Sequence, residues 1–296
     1  MTAPNARINR RDALQMAAAS GAASLLVSQS ASAVKAESQR LEIVDTNVSL
    51  FHWPFRRLPL DQTAKLIRKL RLLGVTQAWA GSFEAILHRD LAGVNGRLAR
   101  ECRQHGELVP IGTINPLLPG WENDLRQCFD KHGMPAVRVY PNYHGYTLQE
   151  PRFLQLLEKV TAAGRFLQLA ALMEDTRTQH LQHQVADVDL EPLPALLGRL
   201  GRARVQILNW RPRGALLEKL AKTPGIFFDT ARVEGTDGVP QLVEKVGKDR
   251  VMFGSHAPFL IPEAALIRVH ESSRISESSL RTVLAANARR LAGKGE

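Results

Sequence analysis

His256 lies in Ser255-His256-Ala257-Pro258, a short turn after an apolar run. An imidazole titrates near neutrality, so it can act as a general acid or base. The same ring can also do no more than tie a loop to backbone. Asp229 and Glu174 likewise follow apolar runs. Two carboxyl groups in one pocket can divide acid and base roles between them, or bind a ligand hydroxyl. Each can instead be neutralised by an arginine such as Arg138, Arg211 or Arg232. Arginines left unpaired would clamp a carboxylate or a phosphate. Arg138 and Tyr140 are two residues apart, a spacing that puts both on one face of a strand. Asn47, Ser49, Asn209 and the loop residue His144 complete a set of polar side chains at comparable places.

Other residues of suitable type lack a partner motif. His180 and His183 are three apart but stand in a polar loop, which reads as solvated. Cys102 and Cys128 fall in helical segments and read as buried thiols, with a disulfide as the alternative if their Cα atoms come close enough. Two cysteines in all exclude a disulfide scaffold or a zinc ribbon. Trp53 and Phe55 follow the first apolar run and are placed to cover a pocket or pack as a lid.

The elements that position these residues alternate. Short apolar, β-branched runs cover Leu41–Thr46, Val75–Ala80, Leu108–Ile114, Ala136–Tyr140, Phe166–Leu172, Arg204–Leu208, Gly225–Asp229 and Arg250–Phe253. Segments of helical spacing follow each run. Asp61 is placed to cap the first of them, and Gly74 and Gly164 to end two of them in left-handed conformation. Eight such units in about 250 residues predict a single (β/α)8 TIM barrel over 41–292. A doubly wound sheet is the alternative, but no glycine-rich phosphate turn follows the first run and no Walker motif occurs. In a barrel the polar residues above gather at one mouth, where the strands end.

The chain has 296 residues, 44% of them hydrophobic and 23% charged, which excludes a disordered or collagen-like protein. No apolar run is long enough for a polytopic membrane protein. The formal charge of +10 is spread over helices, and aromatics are only 6%, so a nucleic-acid role is not expected; anionic small molecules are the expected partners. Oligomeric state is left open. The N-terminus reads differently. Arg10-Arg11, an Ala-rich apolar stretch from Ala13 to Val27, and Ala31-Ser32-Ala33 follow in the order of an export signal. The arginine pair resembles a twin-arginine signal. The expectation is a signal over 1–33 and a periplasmic mature protein.

Three segments, Ile43–Ser49, Val137–Pro141 and Val251–Phe259, resemble the amidohydrolase-related family of metal-dependent TIM-barrel hydrolases. Asn287–Leu291 resembles that family's closing helix. The resemblance implies hydrolysis of a C–N or lactone bond, or decarboxylation. It also implies a divalent metal, typically zinc, held by His-x-His, two further histidines and an aspartate. This chain departs at each position: Asn47 and Ser49 replace His-x-His, Asn209 replaces the histidine after the sixth run, and His256 replaces the aspartate after the eighth. The fifth run offers only Gln168. No metal ligand is therefore assigned and no cofactor is expected. Any chemistry would run through His256, Asp229 or Glu174, with Asn47, Ser49, Arg138, Tyr140, His144, Asn209 and Arg211 holding the ligand. The alternative is an exported binding protein that has lost catalysis.

Overall fold

The structure, a computed structural model, describes residues 41–293. The expected export signal lies outside the described residues. All strands run parallel: β1 (Ile43–Leu50), β2 (Val75–Ser82), β3 (Leu108–Pro110), β4 (Gly112–Thr113), β5 (Ala136–Val139), β6 (Phe166–Ala170), β7 (Val205–Leu208), β8 (Ile226–Asp229) and β9 (Val251–Met252). The pairing order is β1-β2-β3 and β4-β5-β6-β7-β8-β9. β3 and β4 share one barrel position, interrupted at Ile111 after Pro110, which has no N–H to give. Ile111 N–H still reaches the Ala80 carbonyl at 2.8 Å.

The ring closes between the first and last strands. Thr46 N–H donates to Phe253 O (2.9 Å), Ser49 N–H to Ala257 O (2.9 Å), and Val48 bridges Ala257 in parallel register. The eight expected units are therefore present and form a TIM barrel. β1 runs longer than its apolar signal, so Asn47 and Ser49 belong to the strand itself. A register shift between Asp45 and Val48 brings them to the mouth.

Inward side chains repeat every second residue and form layers. At the bottom, Val44, Trp79, Ala136 and Phe166 pack with Ala285, Ala288 and Leu291 of the C-terminal helical segment. Arg138 and Gln168 follow two residues later on β5 and β6, and Gln206 is the register partner of Gln168 on β7. Above them, Tyr140 and Ala170 join Trp53 and Phe83 in an apolar cluster.

Helix boundaries follow the expected segments with local changes. The first helix covers Thr63–Leu72 and starts behind Gln62 rather than Asp61. Asp61 instead accepts from Arg57 Nη2 (3.0 Å) and Leu58 N–H (3.3 Å), so its carboxylate is engaged before the helix begins. Gly74 (φ 79°) and Gly164 (φ 64°) take the expected left-handed conformation. Cys102 and Cys128 are free and buried, and burial pushes both thiols up to about 12. Asn95 Nδ2 donates to Cys128 Sγ at 3.3 Å. No helix among the described residues is long and apolar enough to cross a membrane.

Candidate active site

Three of the expected residues meet directly. Asn47 Nδ2 donates to Asp229 Oδ2 (2.6 Å) and to Asn209 Oδ1 (2.7 Å), while Asn209 N–H donates to Asp229 Oδ1 (3.1 Å). They come from β1, the turn after β7 and the end of β8, so only the closed ring brings them together. Asn209 adopts φ 60°, an uncommon conformation that turns its N–H onto the carboxylate. Gly254 fits between these strands because it has no side chain: a Cβ there would lie 3.0 Å from the Cβ of both Asn47 and Asp229.

Asp229 is 2% exposed and has no arginine partner among the described residues. Burial raises its carboxyl from 3.8 to about 7, outweighing the hydrogen bonds from Asn47, Asn209 and Ala231, and the nearby Asp45 charge adds to the rise. Asp45, within the Ile43–Ser49 segment, is a site residue given no role from sequence alone. Its Oδ1 accepts from Ser255 N–H (2.9 Å) and Asn47 N–H (3.1 Å), and burial raises it to about 6. Its other oxygen, Oδ2, has no partner.

Arg138 is the large cation inside the barrel, 1% exposed. Its Nε donates to Gln168 Oε1 (2.9 Å), and Nη1 to Val48 O and Ser49 Oγ (both 3.3 Å). Gln168 in turn donates to Thr46 O (2.9 Å) and Gln206 Oε1 (2.8 Å), and Gln206 to Thr46 Oγ1 (2.7 Å). This buried polar ladder fixes the guanidinium. Gly81 leaves room for it, since a Cβ there would stand 2.8 Å from Nη1. Arg138 Nη2, Asn47 Oδ1 and the Tyr140 hydroxyl are buried without partners.

His256 shares the mouth and ties its loop to backbone, the alternative that its sequence position left open. It is 1% exposed at φ 56°, stacks on Phe259 (5.1 Å, 11°) and contacts Met173 O through Nε2 (2.9 Å). Burial first, then the Arg232 charge, lowers it to about 3, so the ring is neutral near pH 7. An imidazolium acid is therefore not on hand at neutral pH. Phe259 belongs to an aromatic cluster in which Trp53 makes edge contacts with Phe55, Phe83, Tyr143 and Phe259. His183, expected to be solvated, stacks on Phe55 at 5.0 Å.

The remaining candidates are engaged elsewhere. Glu174 is buried and forms an ion pair with Arg56, a partner not foreseen, and Arg56 lies over the Phe259 ring at 5.0 Å. His144 contacts Ala85 O through Nε2 (3.0 Å) in a half-buried loop. Arg211 pairs with Asp175 (3.0 Å) and lines, with Arg232, a neighbouring cavity of about 400 Å³.

The donors at the metal positions do not fit a dication. Asn47 turns its amide nitrogen towards Asn209 and Asp229, Ser49 Oγ already accepts from a guanidinium, and His256 Nε2 is committed to a carbonyl. Arg138 and Arg232 add positive charge to the same region. A divalent ion needs anionic or strongly donating ligands to offset its dehydration. Among the described residues, no three His, Cys, Asp or Glu side chains are grouped to hold one.

A sequence-family model for amidohydrolases matches residues 51–293. No curated protein matches the chain in sequence. Among solved structures, the barrel is similar to 2,6-dihydroxybenzoate decarboxylase from Rhizobium (13% identity, TM-score 0.65, 84% of this chain and 99% of that one). It is also similar to 5-carboxyvanillate decarboxylase from Sphingomonas paucimobilis (14%, 0.68, 85% and 99%). A third is dihydroxybenzoic acid decarboxylase from Polaromonas sp. JS666, solved with manganese and 2-nitroresorcinol (14%, 0.61, 84% and 97%).

Proposed function

The chain belongs to the amidohydrolase family, and from that premise we propose that it is an enzyme acting on a small carboxylate-bearing molecule at the barrel mouth, by decarboxylation. The observation that carries this reading is Asp229, a carboxyl buried at the end of β8 and held by Asn47 and Asn209 with no arginine partner among the described residues, an enclosure that raises it to about 7. Decarboxylation replaces a carboxylate on carbon by hydrogen. The C–C bond breaks, carbon dioxide leaves, and the electron pair left on carbon takes a proton. A carboxyl still partly protonated at neutral pH is a suitable donor for that proton, and solvent then restores it. Arg138 Nη2 and the Tyr140 hydroxyl, both buried and unpartnered, are suited to hold the substrate's oxygen atoms. The aromatic cluster that packs with Tyr140 would lower the polarity around a substrate held there. The solved decarboxylases that this barrel resembles support the substrate class. Two of the similar decarboxylases were solved with bound manganese; the donors at the corresponding positions of this chain do not suit a dication.

The value near 7 also favours a second reading, hydrolysis of a C–N or lactone bond, since ionised Asp229 can take a proton from attacking water. The test is a panel of hydroxybenzoates, small lactones and amides, assayed with the wild type and Asp229→Asn. Carbon dioxide release from a hydroxybenzoate, lost by roughly a hundredfold or more in the variant, is expected. Turnover of lactones or amides alone would favour the second reading. Binding of panel members without any turnover would overturn both and leave a binding protein. We propose further that the mature protein is exported, supported by the order of the basic, apolar and small-residue segments within residues 1–33.

A further inference from the structure

The cavity of about 400 Å³ beside the active site has a charge pattern of its own. Arg211, Arg213, Arg232 and Lys245 line it, against the single carboxylate of Glu234. Gly214 and Gly238 also line it, and each is the first residue of a nine-residue helix, Gly214–Lys222 and Gly238–Val246. Neither helix has a side-chain cap at its start. Helix N-termini carry partial positive charge, so both ends favour an anion, with the Gly238 N–H itself already donating to Gly235 O (3.1 Å).

Arg232 points independently to a ligand. It is 5% exposed, and among the described residues its sole hydrogen bond is one of 3.4 Å from Nη2 to Met173 O, with Nε left unpartnered. It forms no ion pair among the described residues. Glu234, Asp175 and Asp229 lie near enough to attract it, but none forms an ion pair with it, and an anion in the cavity would supply that direct partner. Arg211 is partly neutralised by Asp175, which leaves Arg232 as the main recognition group.

We propose that this cavity is a binding site for a phosphate group, free or carried on a small organic molecule. Several cations and two helix N-termini favour a dianion with several acceptor oxygens over a monoanionic carboxylate. The test reads binding alone and needs no turnover.

Inorganic phosphate is titrated into the full chain by calorimetry at fixed ionic strength, with benzoate and phenyl phosphate as further arms. Saturable 1:1 binding of phosphate, tighter than benzoate, is expected. Arg232→Gln should weaken it roughly tenfold or more, and the exposed Lys245→Gln by a smaller factor that remains measurable if Arg232→Gln fails to fold. Arg100→Gln, in a second basic surface region with Arg97, Arg103 and Lys131, should change nothing. Equal affinity for phosphate and phenyl phosphate would identify the free ion as ligand; tighter phenyl phosphate would identify an organic ester. No saturable phosphate binding by the wild type, or equal weakening by Arg100→Gln and Lys245→Gln, would overturn the proposal.

Discussion

Asp229 and His256 are held in opposite ways by the same burial. The carboxyl is pushed up to about 7 and the imidazole down to about 3, so both prefer to be neutral. For Asp229 the folded value lies above the ordinary 3.8, and the folded chain keeps its proton longer than the unfolded chain. Its contribution to stability is full below about pH 4 and is lost as pH rises through about 7. His256 works in the other direction: its contribution is full above about 6.5 and is lost as pH falls towards 3. The two partly cancel in the wild type, so the informative quantity is a difference. Asp229→Asn should gain stability relative to the wild type by roughly 2–3 kcal/mol between pH 5 and pH 8, measured by denaturant unfolding at both values. A pH-independent difference would contradict the raised carboxyl. Much of this site was legible from residue type at strand ends: Asn47, Asn209 and Asp229 do meet. Asp45 and Gln168 were given no role and Gln206 was not singled out, because they stand inside or just within strands whose apolar neighbours dominate the pattern. A signal for two of them was present, since Gln168 follows Phe166 and precedes Ala170 in the inward phase and Gln206 is its register partner. The partner of Glu174 was not legible, because Arg56 comes from a loop with no periodic signal.

Strands place these groups, and each strand body must stay apolar to do so. Val44 packs in the bottom layer with Trp79 and Phe166, and Val139 is fully buried on β5. Val44→Asp or Val139→Asp would bury an unpaired charge and should cost about 3 kcal/mol or more, read as a lowered denaturation midpoint. An unchanged midpoint would contradict the core assignment. Gly254 tests the spacing between β1 and β8. Gly254→Ala should cost roughly 1–3 kcal/mol, because the new Cβ meets two Cβ atoms on packed strands rather than a flexible tip. If its crystal structure kept the Asn47–Asp229 hydrogen bond unchanged at 2.6 Å with no loss of stability, the close-packing argument would fail. Strand existence was legible from β-branched runs; strand ends were not. β1 continues through Asn47 to Leu50 because parallel barrel strands are buried on both faces, so polar residues there still pair within the sheet. Pro110 broke the third run into two short pieces for a local reason, its missing N–H.

At the scale of the molecule, alternation of strand and helix was sufficient to read the barrel, because few closed architectures accept eight such units. Closure itself, through Thr46, Ser49 and Phe253, left no trace in local pattern. The export proposal belongs to this scale too. Replacing Arg10 and Arg11 with lysine should leave the precursor in the cytoplasm, seen by fractionation and immunoblotting; normal amounts in the periplasm would contradict a twin-arginine route. The proposed chemistry, whichever bond it breaks, depends on one proton held by a carboxyl enclosed in the barrel. Carboxyl carbon-13 NMR of aspartate-labelled protein, compared with Asp229→Asn, measures that proton directly. A resonance absent from the variant and titrating with a midpoint near 7 is the expected result. A midpoint below about 5, in the ordinary carboxylate range, would contradict it.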